Sequence, residues 1–365
     1  MKVKNMENIP EVPALNKAVR LDAIGDFKVV EQPLRELRDD EILVRVGACG
    51  ICGSDIPRIY ELGTRVFPVV LGHEFSGEVV AVANEADKAL VGRKAAIFPL
   101  IPCLECEMCL TGNYAQCTNY NYLGSRSDGG FAEYCILPSR WHLVLSKGSE
   151  VSLEDLSMVE PVTVGQHALR KGGVKNGDKV LIIGAGPIGI MTARWAKLFG
   201  ASKVILFDVL DEKITFAQER GLEIYNSIGL DLAAFVKEKV GGLGFDVVIE
   251  GTGTSGGLHS AINTVRTFGT IGLLGNPHKD TVIALNDHST ILRKEIKLQG
   301  FWNSVYEIYP FNEWQHTVNM IEEGKLQVND LVTHRAGLEN LEDLTRKIWK
   351  HEIVICKAMY SANEN

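Results

Sequence analysis

The chain has 365 residues, longer than a single hydrophobic core usually grows, so two domains are expected. Apolar residues make up 45% and charged residues 23%, the balance of an ordinary globular protein. With 46 acidic against 38 basic residues the formal charge is −8, which disfavours a phosphate polymer and argues against a nucleic-acid partner.

The stretch "MKVKNMENIPEVPALNK" holds no long apolar run, so no signal peptide and no membrane span are expected. A cytoplasmic protein with reduced thiols follows, in which clustered cysteines are metal ligands more often than disulfides. Up to about residue 160 the chain reads as short strands and loops: "KAVRLDAIGDFKVVEQ", "DEILVRVGACGIC", "FSGEVVAVA" and "GRKAAIF". Between them, "ICGSDIPRIY" sets Cys52 in a Gly/Ser/Asp turn, and "LGHEFSG" brings His73 and Glu74, His73 lying 21 residues further on.

"PCLECEMCLTGNYAQC" then places Cys103, Cys106, Cys109 and Cys117 in C-x2-C-x2-C-x7-C spacing within 15 residues. Four thiolates around one tetrahedral Zn2+ leave no open position, so this lobe, about residues 100–120, reads as a structural zinc site. An Fe–S cluster is the competing reading of the same spacing. Further on, "MVEPVTVGQHAL" supplies Glu160. Cys52, His73 and Glu160 together would give three zinc ligands and an open fourth position, the arrangement catalysis needs. On these residues alone a packed thiol and a core histidine stay open as the alternative.

From about residue 164 the rhythm changes to strands alternating with amphipathic helices, the mark of βαβ units and a parallel sheet. The strands are "KVLIIG", "KVILFD", "FDVVIEG" and "GTIGLLG"; the helices are "PIGIMTARWAKLFG", "DEKITFAQERG" and "LHSAINTVRT". "GAGPIG" sets Gly184, Gly186 and Gly189 in G-x-G-x-x-G spacing, with Pro187 and Ile188 opening the helix. Gly184 makes the tight turn, Gly186 admits the pyrophosphate, Gly189 packs helix on strand, and the helix N-terminus faces the phosphates. Asp208 ends the next strand, 19 residues after Gly189, where an acid binds ribose hydroxyls. Asp208 repels a 2′-phosphate, and "FDVLDEK" offers no arginine in exchange, so NAD is expected rather than NADP. Lys213 is a candidate contact to the adenosine ribose, or simply a solvated helix lysine. From "FWNSVYEIYP" the alternation is lost, and the last 60 or so residues are expected to rejoin the first domain.

The ordered set CGSD, GHE, four-cysteine lobe, EP and GxGxxG resembles the zinc-dependent medium-chain alcohol and polyol dehydrogenases, over about residues 17 to 360. The resemblance implies an α/β architecture: a doubly wound Rossmann domain, residues 164–302, and a GroES-like β-rich catalytic domain, residues 1–163 and 303–365. It implies two zinc ions per subunit, NAD, an active site in the cleft, and a homodimer or homotetramer. Position by position, Cys52 and His73 look like inner zinc ligands, and Asp55 like the carboxylate that orients the histidine. Ser54 looks like the hydroxyl that takes the alcohol proton. Glu160 stands where simple alcohol dehydrogenases have a second cysteine, which is the polyol pattern. Glu74 resembles a carboxylate able to approach or replace a ligand. Pro57 replaces a relay histidine of many relatives, so the proton is expected to leave through Ser54, Glu74 and water.

Within the family the stretches "CGSDIPRIY", "LGHEFSGEV", "YLGSRSDGGFAEY", "EPVTVGQHAL" and "ILRKE" resemble those of a branch that acts on a phosphorylated polyol. Such a substrate needs a cation, and Arg58 and Arg126 are the candidates, with Trp302 as a possible pocket wall. The rivals are an unphosphorylated polyol of the sorbitol type, threonine or butanediol as substrate, or a non-catalytic zinc and nucleotide module. Cys49, Cys135 and Cys356 are read as packing residues.

Overall fold

A computed structural model describes residues 12–148, 150–306 and 311–364. The opening residues 1–11 and the segment 307–310 of "FWNSVYEIYP" lie outside the described residues. The chain divides into two compact units, Met1–Glu160 with Val305–Asn365, and Pro161–Ser304.

The first unit is β-rich. The strand Leu15–Ala23 pairs antiparallel with Asp26–Pro33 and with the short strand Val69–Val70. A larger sheet is built on Ile42–Ile51, which pairs antiparallel with Glu74–Val82, Tyr134–Leu137 and the late strand Lys357–Ser361. Apolar side chains from these strands, among them Val19, Leu21, Val44, Val46, Phe75, Phe131 and Tyr360, form its core. Burying them drives this unit's folding, at about 25 cal/mol for each Å2 of apolar surface removed from water. The late strand Lys357–Ser361 belongs to this unit and pairs antiparallel with Ile42–Ile51.

The second unit is a six-stranded parallel sheet. Its spatial order is Ile224–Asn226, Lys203–Asp208, Lys179–Ile183, Phe245–Glu250, Val265–Leu273 and Lys297–Gly300. This is the doubly wound order, with a switch point between Lys179–Ile183 and Phe245–Glu250, outside whose carboxyl ends such sheets bind ligands. The central strands Lys179–Ile183, Lys203–Asp208 and Phe245–Glu250 are mostly buried apolar runs, as strands covered on both faces must be. One helix differs from the sequence reading. "LHSAINTVRT" is helical only as part of Ser255–Thr264, and Val265 already opens the next strand. The extended backbone of Val265, at φ −68° and ψ 144°, stops the helix where β-branched and aromatic residues take over. Among the described residues no helix is long and apolar enough to cross a membrane.

Candidate active site

Cys52 follows the strand Ile42–Ile51 and leads into the short helix Asp55–Pro57, while Glu74 opens the paired strand Glu74–Val82. Antiparallel pairing sets Glu74 opposite Gly50. A side chain at Gly50 would overlap the Glu74 carboxylate and press on Lys357, so only glycine leaves this corner open. The outcome is a tight group: one ligand atom each of Cys52, His73 and Glu74 lies within 4.8 Å of the others.

Asp55 lies fully buried beneath this group. It accepts a hydrogen bond from the Cys52 N–H at 3.0 Å and from Arg58 at 3.0 Å, and lies 3.5 Å from His73 Nδ1. Burial works against its charge, yet His73 and Arg58 hold its carboxyl below the usual range. Burial also opposes a charged His73, but Asp55 and Cys52 push its pKa well above the ordinary value. Ser54 Oγ donates to Cys52 Sγ at 3.2 Å and accepts from Arg58 at 2.7 Å.

Glu160, in the first turn of the helix Val159–Lys171, stands outside the close trio, where the sequence reading set it first and Glu74 second. Its carboxylate accepts a hydrogen bond from the Tyr122 hydroxyl at 3.2 Å. Burial, with Glu74 nearby, pushes its carboxyl up to about 7 against the pull of His73.

Two residues of this site escaped the sequence reading. Lys357 forms a buried ion pair with Glu74. Its signal was a lysine inside the apolar run "VICKAMYSA", since a buried ammonium needs a partner. Tyr122 carried no signal beyond lying in an aromatic loop.

The donor set suits a metal ion. His73 Nδ1 and Glu74 Oε2 are buried without a hydrogen-bond partner, though each faces a counter-charge. A thiol, an imidazole and a carboxylate form a mixed set that zinc accepts, with room for a further ligand. Cys103, Cys106, Cys109 and Cys117 gather separately, their sulfurs also within 4.8 Å of one another. Cys103 and Cys117 are 3.4 Å apart and Cys106 and Cys117 3.9 Å, far beyond a disulfide bond. Backbone N–H groups of Thr118 and Cys109 bring the Cys106 thiol down to about 6, towards the thiolate a metal requires. Of the other cysteines, Cys49 and Cys135 are buried and Cys356 is half-buried.

In the second unit the strand Lys179–Ile183 runs into Gly184, at φ +103°, and the helix Pro187–Leu198 begins with proline at its first position. A side chain at Gly189 would overlap the Gly184 carbonyl oxygen, whereas one at Gly186 would meet open space. That space lies at a helix N-terminus and makes a cradle suited to a pyrophosphate. Asp208 Oδ2 accepts the Ala185 N–H at 2.7 Å, and Oδ1 accepts those of Val209 at 2.8 Å and Leu210 at 3.1 Å. A carboxylate offers about four acceptor sites, so three bonds leave room for a ribose hydroxyl. Ile188 lies in the first turn of the helix, and Lys213 is half-buried in the helix Asp211–Gln218.

Arg126 lies with its guanidinium carbon 3.7 Å from the Tyr120 ring centroid and donates to the Tyr120 carbonyl. Trp302 is 56% exposed.

Residues 38–147 match the family model of the alcohol dehydrogenase GroES-like domain, and residues 187–323 that of the zinc-binding dehydrogenase. The chain belongs to the zinc-binding medium-chain alcohol and polyol dehydrogenases and is an oxidoreductase. It is 33% identical to galactitol 1-phosphate 5-dehydrogenase of Escherichia coli K12 over 335 residues, covering 91% of this chain and 96% of that protein. The crystal structure of galactitol-1-phosphate dehydrogenase from Escherichia coli superposes with a TM-score of 0.88 at 32% identity, over 94% of this chain and 99% of that one. Sorbitol dehydrogenase 2 of Saccharomyces cerevisiae is also 33% identical, over 338 residues, 89% of this chain and 92% of that protein.

Proposed function

We propose that this protein oxidises a secondary hydroxyl of a polyol phosphate with zinc and NAD, converting galactitol 1-phosphate to tagatose 6-phosphate. The observation that carries the reading is the Cys52–His73–Glu74 group with the Ser54 hydroxyl set against it. Zinc held there by Cys52, His73 and a glutamate would polarise the substrate hydroxyl as a Lewis acid. A second zinc in the four-cysteine lobe is structural.

Arg58 fixes Ser54 Oγ, which is the group that takes the hydroxyl proton. Glu74 and solvent carry it on, in the role of the histidine that Pro57 replaces. Asp55 orients His73 through the contact at 3.5 Å. Gly184, Gly186 and Gly189, with Pro187 and Ile188, seat the NAD pyrophosphate. Asp208 takes the ribose hydroxyls and Lys213 lies beside them. A 2′-phosphate would meet the Asp208 charge, which favours NAD. In balance, the secondary alcohol and NAD+ give a ketone, NADH and one proton.

The phosphorylated substrate is supported by the likeness to galactitol 1-phosphate 5-dehydrogenase. Arg58 and Arg126 are the proposed phosphate contacts, and Trp302 a pocket wall. Both arginines already have partners within the protein, which favours a second reading, an unphosphorylated polyol, in line with the equal identity to sorbitol dehydrogenase 2. NADH production at 340 nm from galactitol 1-phosphate, galactitol and sorbitol in parallel separates the two. Preference for the phosphate, lost in Arg58→Ala or Arg126→Ala through a higher KM, is expected. Better turnover of a free polyol overturns the phosphate assignment.

Association into a homodimer or homotetramer belongs to the same proposal. The strand Lys297–Gly300 is exposed throughout and pairs within the sheet with Val265–Leu273 alone. Leu298 and Phe268, 40% and 62% exposed, lie on these two strands. Such an open edge invites a second copy. A cytoplasmic setting is proposed as well, in keeping with four cysteines gathered as a metal-ligand group.

A further inference from the structure

Tyr122 stands where the candidate metal site meets the loop beyond the cysteine lobe. The pair Asn121–Tyr122 forms a two-stranded ladder with Leu100–Ile101, which sets its height above the site. Its hydroxyl bonds Glu160, and its ring lies edge-on to His73 with centroids 5.8 Å apart and planes at 65°. Behind it the Tyr120 ring follows at 6.3 Å, capped by the Arg126 guanidinium. Arg126, Tyr120 and Tyr122 thus form a braced arm whose tip touches a histidine of the trio and the carboxylate outside it.

Two buried glutamates flank one cluster, and like charges side by side disfavour each other. Glu74 is drawn towards Lys357 and still belongs to the trio. Glu160 is tied to the phenol instead. Resting on the metal reading above, we propose that Tyr122 is a positioning residue that holds Glu160 back, so that Glu74 is the carboxylate ligand beside Cys52 and His73. A phenylalanine at 122 keeps the ring against His73 and removes the hydroxyl that bonds Glu160. Glu160 then loses the bond that draws it away from the ion.

The test is titration of metal-free protein with Co2+, followed by visible absorption. Wild-type protein is expected to show one class of site beyond the cysteine lobe, absent in Cys52→Ser. In Tyr122→Phe the spectrum of that class is expected to change, because a second carboxylate gains access to the ion. Tyr122→Phe with Glu160→Gln is expected to regain the wild-type spectrum, which a merely structural role for the phenol would not produce. Glu160→Gln alone, which leaves Tyr122 in place, is expected to keep the wild-type spectrum, and Glu74→Gln to alter it. An unchanged Tyr122→Phe, a double variant that is not restored, or an altered Glu160→Gln overturns the inference while the metal reading stands. Equal Co2+ stoichiometry in wild type and Cys52→Ser overturns the metal reading and the inference with it.

Discussion

The ammonium of Lys357 and the carboxylate of Glu74 meet in the interior of the β-rich unit, their side chains only 4% and 2% exposed. Burial alone would discharge the lysine, yet Glu74 raises its pKa above the ordinary value. Such a pair adds little net stability, but removing one partner strands a buried charge, which costs about 3–5 kcal/mol. Lys357→Met is therefore expected to lower Tm by roughly 6–12 °C at a few degrees per kcal/mol. Pairing it with Glu74→Gln should recover most of the loss. A Tm within about 2 °C of wild type for Lys357→Met would show that the pair does not hold the corner together.

The two groups of cysteines should respond differently to the same substitution. Cys106→Ser is expected to lower Tm, while the fraction that folds keeps its turnover. Cys52→Ser is expected to lose at least a thousandfold in kcat with little change in Tm, on the order of 4 kcal/mol of transition-state stabilisation. Metal analysis should find one zinc equivalent lost in each. Selective loss of chemistry in a stable Cys106→Ser protein would contradict a structural lobe.

Asp208 gathers three backbone N–H groups, one of them from the glycine turn. Asp208→Ala removes charge-assisted bonds worth about 1.5–3 kcal/mol each and the ribose acceptor with them. The KM for NAD should rise by roughly ten- to a hundredfold, and discrimination against NADP should shrink, with kcat much less affected. Steady-state kinetics with both cofactors check this. Unchanged NAD kinetics would remove Asp208 from the ribose site.

The buried Glu160 makes the metal-free protein sensitive to pH. Its carboxyl is raised to about 7 from an ordinary 4.5, so the folded state binds a proton more tightly than the unfolded chain. The stabilisation is fully present below pH 4.5 and is lost as pH rises through about 7. His73, also raised, acts in the same direction. After chelation, Tm should fall between pH 5 and pH 8, and Glu160→Gln should flatten part of that fall. Parallel profiles for wild type and Glu160→Gln would deny Glu160 this role.

The glycine turn was legible because its residues are close in sequence and each meets a local demand. Gly184 needs a positive φ, and Gly189 cannot carry a side chain beside the Gly184 carbonyl. The four cysteines were legible for the same reason, all lying within one lobe. The helix ending at Thr264 was read too long because "NTVRT" continues an amphipathic pattern, while the neighbouring strand Phe245–Glu250 recruits Val265 into the sheet. Lys357 and Tyr122 could not be placed from sequence. They reach the site through strand pairings, Met359 opposite Gly50 and Leu100 opposite Tyr122, which depend on the assembled fold.

The strand Lys357–Ser361 has a consequence for the order of assembly on the ribosome. The second unit is one uninterrupted stretch, Pro161–Ser304, and can fold as soon as it emerges. In the strand Ile42–Ile51, made early, residues 42–45 are paired on one side by Tyr134–Leu137, but residues 48–51 must wait there for Lys357–Ser361, made almost last. Until then the edge formed by Ala48, Cys49, Gly50 and Ile51 stands open, with Glu74 lacking its lysine. The nascent chain therefore carries a complete second unit while the first is still incomplete, and that interval is when a chaperone has most to shield.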